Sequence, residues 1–165
     1  MKLRRLQEKD IDGILEWMQD DSINRFFRFD GNSQTHSTVS GFIQDSFDDT
    51  KRHYAVVNDS DEYLGTVSLK EIDRINDTAE YAISLRKRAQ GTGAALFATR
   101  EILKIAFKEL NLEKVYLNVL CDNTRAVSFY KKAGAVYEGT FAKHIKIKGQ
   151  RKDLAWYCWF KEDNR

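Results

Sequence analysis

Between Tyr54 and Leu85 three strand-like runs follow one another with only short polar connections, and this pattern limits the fold more than any other part of the chain. Tyr54 to Val57 runs into the turn cluster Asn58-Asp59-Ser60-Asp61, Tyr63 to Leu69 gives way to a polar stretch at 73–77, and Ala79 to Leu85 is the third run. Runs so close in sequence pair by reversing direction, so they predict an antiparallel meander.

Around the meander the chain alternates strand and helix signals. Leu3 to Leu6 reads as a first strand. Asp10 reads as the N-cap of a helix with Ile11, Ile14, Leu15 and Met18 on one face. A polar and aromatic stretch from Ser22 to Ser37 precedes a second helix over 38–47. After Leu85 come Gln90-Gly91-Thr92-Gly93 and a long helix to about Leu110, with Leu96, Thr99, Leu103, Ala106 and Leu110 at helical spacing. A strongly apolar strand over 115–120 comes next, then a helix capped by Asn123 or Thr124. The tail reads as a hairpin around Lys148-Gly149-Gln150, with Leu154, Trp156, Cys158 and Phe160 on one face. The economical assembly is α/β: one domain over residues 1–165, with helices on the faces of a single mixed, mostly antiparallel sheet.

Composition excludes several function classes. Of the 165 residues, 42% are apolar, enough for a core, and the net charge of +2 comes from interleaved rather than clustered charges, which argues against a nucleic-acid partner. The N-terminus lacks the apolar core of a signal peptide, and no window has the ~20 apolar residues of a membrane span. Two cysteines far apart, Cys121 and Cys158, imply no disulfide framework, so the cytoplasm is the expected compartment. No metal-ligand spacing is visible, and His36, His53 and His144 are not spaced to serve a cysteine nucleophile.

The first chemical signal is Arg88-Ala89-Gln90-Gly91-Thr92-Gly93, between a strand and a helix. Two glycines let the backbone approach a ligand closely, and the next residues open a helix whose first amides favour an anion. Turn and helix together can cradle a phosphate. A strand-to-helix turn that merely needs glycine is the alternative. No Gly-Lys-Ser/Thr comes after it, so this is not a P-loop, and a third glycine for a dinucleotide fingerprint is missing.

Joined to a second motif downstream, the turn becomes specific. Arg88-x-x-Gly91-x-Gly93 resembles the Arg/Gln-x-x-Gly-x-Gly/Ala signature of the GCN5-related N-acetyltransferase (GNAT) superfamily. Some thirty residues on, the segment from Asn123 through Ala126 and Tyr130 to Gly134 resembles that superfamily's Asn-x-x-Ala-x-x-x-Tyr-x-x-x-Gly. Leu64-Gly65-Thr66-Val67 resembles its hydrophobic-glycine strand. The resemblance spans Leu3 to Phe160. Val136-Tyr137-Glu138-Gly139-Thr140 with the Lys148-Gly149-Gln150 hairpin looks most like the branch of ribosomal-protein N-terminal, spermidine and nucleotide-linked amino-sugar acetyltransferases. Arg86 and Lys87 depart from the proline that many members carry before the turn, and add local positive charge.

The resemblance implies an acetyl-CoA-dependent transfer of acetyl to a primary amine, with acetyl-CoA as co-substrate and no metal. It implies a sheet splayed between the strands 79–85 and 115–120. The backbone of Ile83, Ser84 and Leu85 would bind the pantetheine arm. Arg88, Ala89, Gln90, Gly91, Thr92, Gly93 and Ala94 would hold the pyrophosphate, and Asn123 would act as a cap or coenzyme ligand. Tyr130 would protonate the departing thiolate, where its other reading is a core aromatic. Glu80, whose strand-face neighbours Ala82 and Ser84 are small, is the candidate base for the amine, with Glu71 second; a surface glutamate is the alternative. The acceptor would be a small molecule, an amino-sugar nucleotide or a polyamine, with a protein N-terminus as the alternative. Arg25, Phe26, Arg28 and Glu71 are the acceptor-side expectations, the arginines favouring an anionic group. A CoA-binding module without catalysis is the competing class. A homodimer is left open.

Overall fold

The computed structural model describes residues 1–162; the last three residues of the expected 1–165 unit lie outside the described residues. Seven strands form one sheet in the order β1-β2-β3-β4-β5-β7-β6. They are β1 (Lys2–Arg5), β2 (Arg52–Val57), β3 (Tyr63–Asp73), β4 (Thr78–Leu85), β5 (Lys114–Leu120), β6 (Val136–Ile147) and β7 (Gln150–Phe160). The expected meander is β2-β3-β4, antiparallel throughout, and only the β4–β5 pair is parallel.

Among the described residues five α-helices accompany the sheet: α1 (Ile11–Met18), α2 (Asp21–Asn24), α3 (His36–Gln44), α4 (Ala94–Lys104) and α5 (Thr124–Lys132). Alternation along the strands assigns each face its core. Ala55, Val57 and Tyr63 pack with Ile14, Trp17 and Val39 of α1 and α3. Val56, Val67, Leu69 and Tyr81 pack with Ala98, Ile102 and Tyr130 of α4 and α5 on the other face. The sheet is therefore covered on both sides, as expected. Among the described residues no helix is long and apolar enough to cross a membrane.

Two local expectations are corrected. Asp10 stands at the N-cap position of α1, but its side chain makes no capping bond; its buried carboxylate takes Arg4 Nη1 at 2.7 Å and Nη2 at 2.9 Å, and the Gln7 amide at 2.9 Å. A carboxylate with three charge-assisted or backbone donors is a structural tie between β1 and α1. The second helix starts earlier than 38, because Thr35 and Thr38 form a reciprocal capping box ahead of it. In the tail hairpin Leu154 and Trp156 share one face, as expected, and Ala155, Tyr157 and Trp159 pack into the core on the other.

Candidate active site

β4 and β5 pair at three positions, Thr78 with Lys114, Ala79 with Val115 and Glu80 with Tyr116, and then separate. Beyond Glu80, β4 is paired only with β3 and β5 only with β7. The expected splay is present. A side chain at Gly65 would stand 2.4 Å from the Ser84 carbonyl oxygen, so β3 needs glycine to lie against the last part of β4. Tyr81 to Leu85 thus present an outward backbone edge without a strand partner, which a pantetheine arm with amide groups of its own can pair with.

The Gly-rich turn continues from the end of this edge. Gly91 and Gly93 have φ of +80° and +88°, which L side chains rarely adopt, and no protein atom lies within 4 Å of where a Cβ would stand. Gly93 is the N-cap of α4 and supplies no side-chain cap, and α4 has no acid in its first turn. The first intrahelical bond runs from the Phe97 amide to Gly93 O, so the amides of Ala94, Ala95 and Leu96 point out of the helix end. These residues fit a pyrophosphate: open backbone, exposed amides and the positive end of the helix dipole.

The basic residues before the turn divide. Arg86 is tied to Glu16 and donates to Tyr63 O at 3.0 Å. Its hydrogen bond to Glu16 pulls that carboxyl below its ordinary pKa. Arg88 pairs with Glu62. Of the local positive charge expected from Arg86 and Lys87, that of Arg86 is thus met by a carboxylate, and so is the charge of Arg88. Arg125 at the start of α5 reaches back to Gln90 Oε1 at 2.5 Å and joins the two helix starts; its position in α5 alone gave no sign of this contact.

α5 is set by Asn123, whose Oδ1 accepts from the Ala126 amide at 3.3 Å. At its other end Trp159 Nε1 donates to Ala133 O at 2.9 Å. Between these anchors Tyr130 is buried, edge-on to Tyr81 at 6.0 Å and to Trp159 at 6.4 Å. Among the described residues its hydroxyl has no hydrogen-bond partner. Burial pushes its pKa up to about 12, so the phenol stays protonated at neutral pH.

On the opposite face of β4, Glu80 accepts from Lys70 Nζ at 2.7 Å, its cross-strand neighbour. Tyr116 stands beside Glu80 in the parallel register, and Glu71 is exposed at a positive-φ bulge with φ of +47°. Ala82 and Ser84 floor a cavity of about 340 Å³ that opens beside the splay, walled by Trp17, Phe27, Phe29 and Phe42. His53 and Ser68 complete the row across the sheet from Ala82, with Nδ1 to Oγ at 2.6 Å.

Burial holds the His53 pKa down to about 4. The unfolded imidazole titrates near 6.5 and the folded one near 4, so between these values the unfolded chain binds the extra proton. The stabilisation is therefore present above about pH 6.5 and lost as pH falls toward 4. Urea unfolding at pH 7 and pH 5 is expected to differ by about 2 kcal/mol from this group, the neutral chain being the more stable. His53→Gln should flatten that slope; an unchanged slope would assign it to other groups.

The segment at 23–30 straddles the splay. Phe27 and Phe29 stack at 4.8 Å and line the cavity. Phe26 packs instead against Leu120, Ile147 and Leu154, with the Arg25 guanidinium 4.6 Å over its ring. Arg28 hydrogen-bonds the Asn118 side chain on β5. The cavity residues Trp17, Phe42, His53, Ser68 and Lys70 were not singled out in the sequence. Same-face pairing of Ser68 and Lys70 with Ala82 and Glu80 is the signal that points to the last two.

A model of the acetyltransferase (GNAT) domain matches residues 1–136, most of the chain. The chain belongs to the GNAT acetyltransferase family. As a GNAT protein it is 29% identical over 160 residues to the spermidine N(1)-acetyltransferase of Escherichia coli K12, covering 97% of this chain and 86% of the relative. It is 25% identical to a putative ribosomal N-acetyltransferase of Bacillus subtilis, covering 98% and 91%. The structure of Vibrio cholerae spermidine N-acetyltransferase in complex with CoA and spermine superposes with a TM-score of 0.89 at 26% identity, covering 99% of this chain and 96% of the other. This GNAT chain is an acetyl-CoA-dependent N-acetyltransferase. Among the described residues no cluster is placed to hold a metal ion.

Proposed function

We propose that the chain holds acetyl-CoA and a small primary amine together and transfers the acetyl group by direct attack, with the cavity beside the splay as the acceptor site. The observation that supports this most is the parting of β4 from β5 after Glu80 and Tyr116, at the place in the sheet that has the cavity on one face and Tyr130 on the other. Acetyl-CoA supplies the activated acyl group. Ile83, Ser84 and Leu85 offer it backbone groups, and the turn from Arg88 through Ala89, Gln90, Gly91, Thr92 and Gly93 to Ala94 offers amides to its phosphates. Asn123 contributes by fixing the start of α5 next to that turn.

Glu80 takes the proton that the amine must lose, Oε1 remaining on Lys70. Tyr130 gives its proton to the sulfur as the C–S bond breaks and the N–C bond forms. Arg25, Phe26 and Arg28 would border the acceptor entrance from the β5 side, and Glu71 from the far end of β3. The proposed setting is the cytoplasm, supported by Cys121 and Cys158 not being joined in a disulfide. Neither a nucleic-acid nor a membrane partner belongs to this reading. A homodimer would cover the exposed Val136, Tyr137 and Phe141 of the outer strand β6.

Direct attack has a kinetic mark. Initial velocities against acetyl-CoA at several fixed amine concentrations are expected to give intersecting double-reciprocal lines. Parallel lines, the sign of a covalent acetyl-enzyme, would overturn it. The exposed Cys121 has no histidine hydrogen-bonded to it among the described residues.

A further inference from the structure

The cavity between α1, α3 and the β3–β4 face is built for an apolar body rather than for charge. Trp17 meets Phe27 edge-on at 5.6 Å, Phe27 stacks on Phe29, and Phe42 stands 4.8 Å from the His53 ring, so aromatic groups form much of its wall. Among the described residues that line it there is no Asp or Glu. The one lysine, Lys70, places its ammonium on Glu80 at 2.7 Å. The remaining polar groups, Thr66, Ser68, Ser84, Gln34, Thr38 and the neutral His53, are uncharged.

Charge decides which amine such a space accepts. The attacking nitrogen has to become neutral, so its own charge is removed in the reaction. A polyamine brings further ammonium groups that stay protonated. Here they would be taken from water without a carboxylate of their own, because Glu80 at the edge of this space is already shared by Lys70 and the attacking nitrogen, and aromatic faces offset only part of that cost. An amine with one nitrogen and a flat apolar body leaves no such charge behind and lays its ring among the others.

We infer, resting on the reading that this cavity holds the acceptor, that the substrate is a monoamine of the arylalkylamine class and not a polyamine. In this the chain departs from the relatives named for spermidine.

The test measures thiol release from acetyl-CoA by the purified chain, with 2-phenylethylamine and spermidine as acceptors. The kcat/KM for 2-phenylethylamine is expected to exceed that for spermidine by about ten-fold or more. Spermidine as the equal or better substrate overturns the inference. Two variants separate substrate class from site. Phe29 is 48% exposed, so Phe29→Ala should fold. It should raise the KM for 2-phenylethylamine about five-fold while leaving that for acetyl-CoA alone. Thr38→Glu adds a carboxylate to the wall at a position where glutamate can also serve the helix capping box. It should raise spermidine kcat/KM about ten-fold and lower that of 2-phenylethylamine. If spermidine is preferred and both variants still shift acceptor kinetics, the cavity is the acceptor site and the class is wrong. If neither variant changes either acceptor, the placement of the acceptor fails, and the inference with it.

Discussion

Tyr130→Phe is expected to lower kcat by more than about ten-fold while the KM for acetyl-CoA stays near its parent value. The phenyl ring keeps the edge-on contacts with Tyr81 and Trp159, so the packing of α5 on the sheet is retained. Only the hydroxyl is removed, and among the described residues it bonds to nothing, so no buried partner is left unsatisfied. Its pKa of about 12 keeps the hydroxyl protonated across the working range. Steady-state kinetics checks the expectation, and full activity in the Phe variant would take Tyr130 out of the chemistry. A loss confined to coenzyme affinity would instead give the ring a binding role.

Glu80→Gln is expected to lower kcat/KM for the amine about 10²-fold at neutral pH, the low end of what a general base contributes. The side chain keeps its shape, and Lys70 keeps an oxygen to donate to. The deficit should narrow as pH rises toward ~10, because an alkylammonium then deprotonates without help. A pH–rate profile of parent and variant reads this directly. An equal deficit at every pH would mean that Glu80 supports the Lys70 cross-strand pair and takes no proton.

Much of the fold and of the candidate coenzyme site was legible in the sequence because local rules govern them. Short polar turns force the β2-β3-β4 meander, positive φ forces glycine at 91 and 93, and the Asn123 cap with helical spacing places Tyr130 on the inner face of α5. What escaped depends on partners distant in sequence. Asp10 reads as a cap until Arg4 is seen to claim it. Arg86 reads as free charge until Glu16, seventy residues earlier, is placed against it. The irregular segment at 23–30 has no period that could tell Phe26 and Arg28, turned to β5 and β7, from Phe27 and Phe29, turned to the cavity. His53 was one of three scattered histidines; only its burial against Ser68 gives it a distinct protonation state.

The three-rung junction of β4 and β5 divides the sheet into two ladders that share a short seam. Four strands form one ladder and three the other, each complete without the seam. A slender chain can enter or leave between them without opening a single existing strand pairing, because Tyr81 to Leu85 are already paired with β3 and Leu117 to Leu120 with β7. On the proposed placement, coenzyme exchange is separated from the cooperative stability of the domain. With the donor in the proposed place, one product can leave and the next donor enter while the core stays shut, with no strand pairing opened.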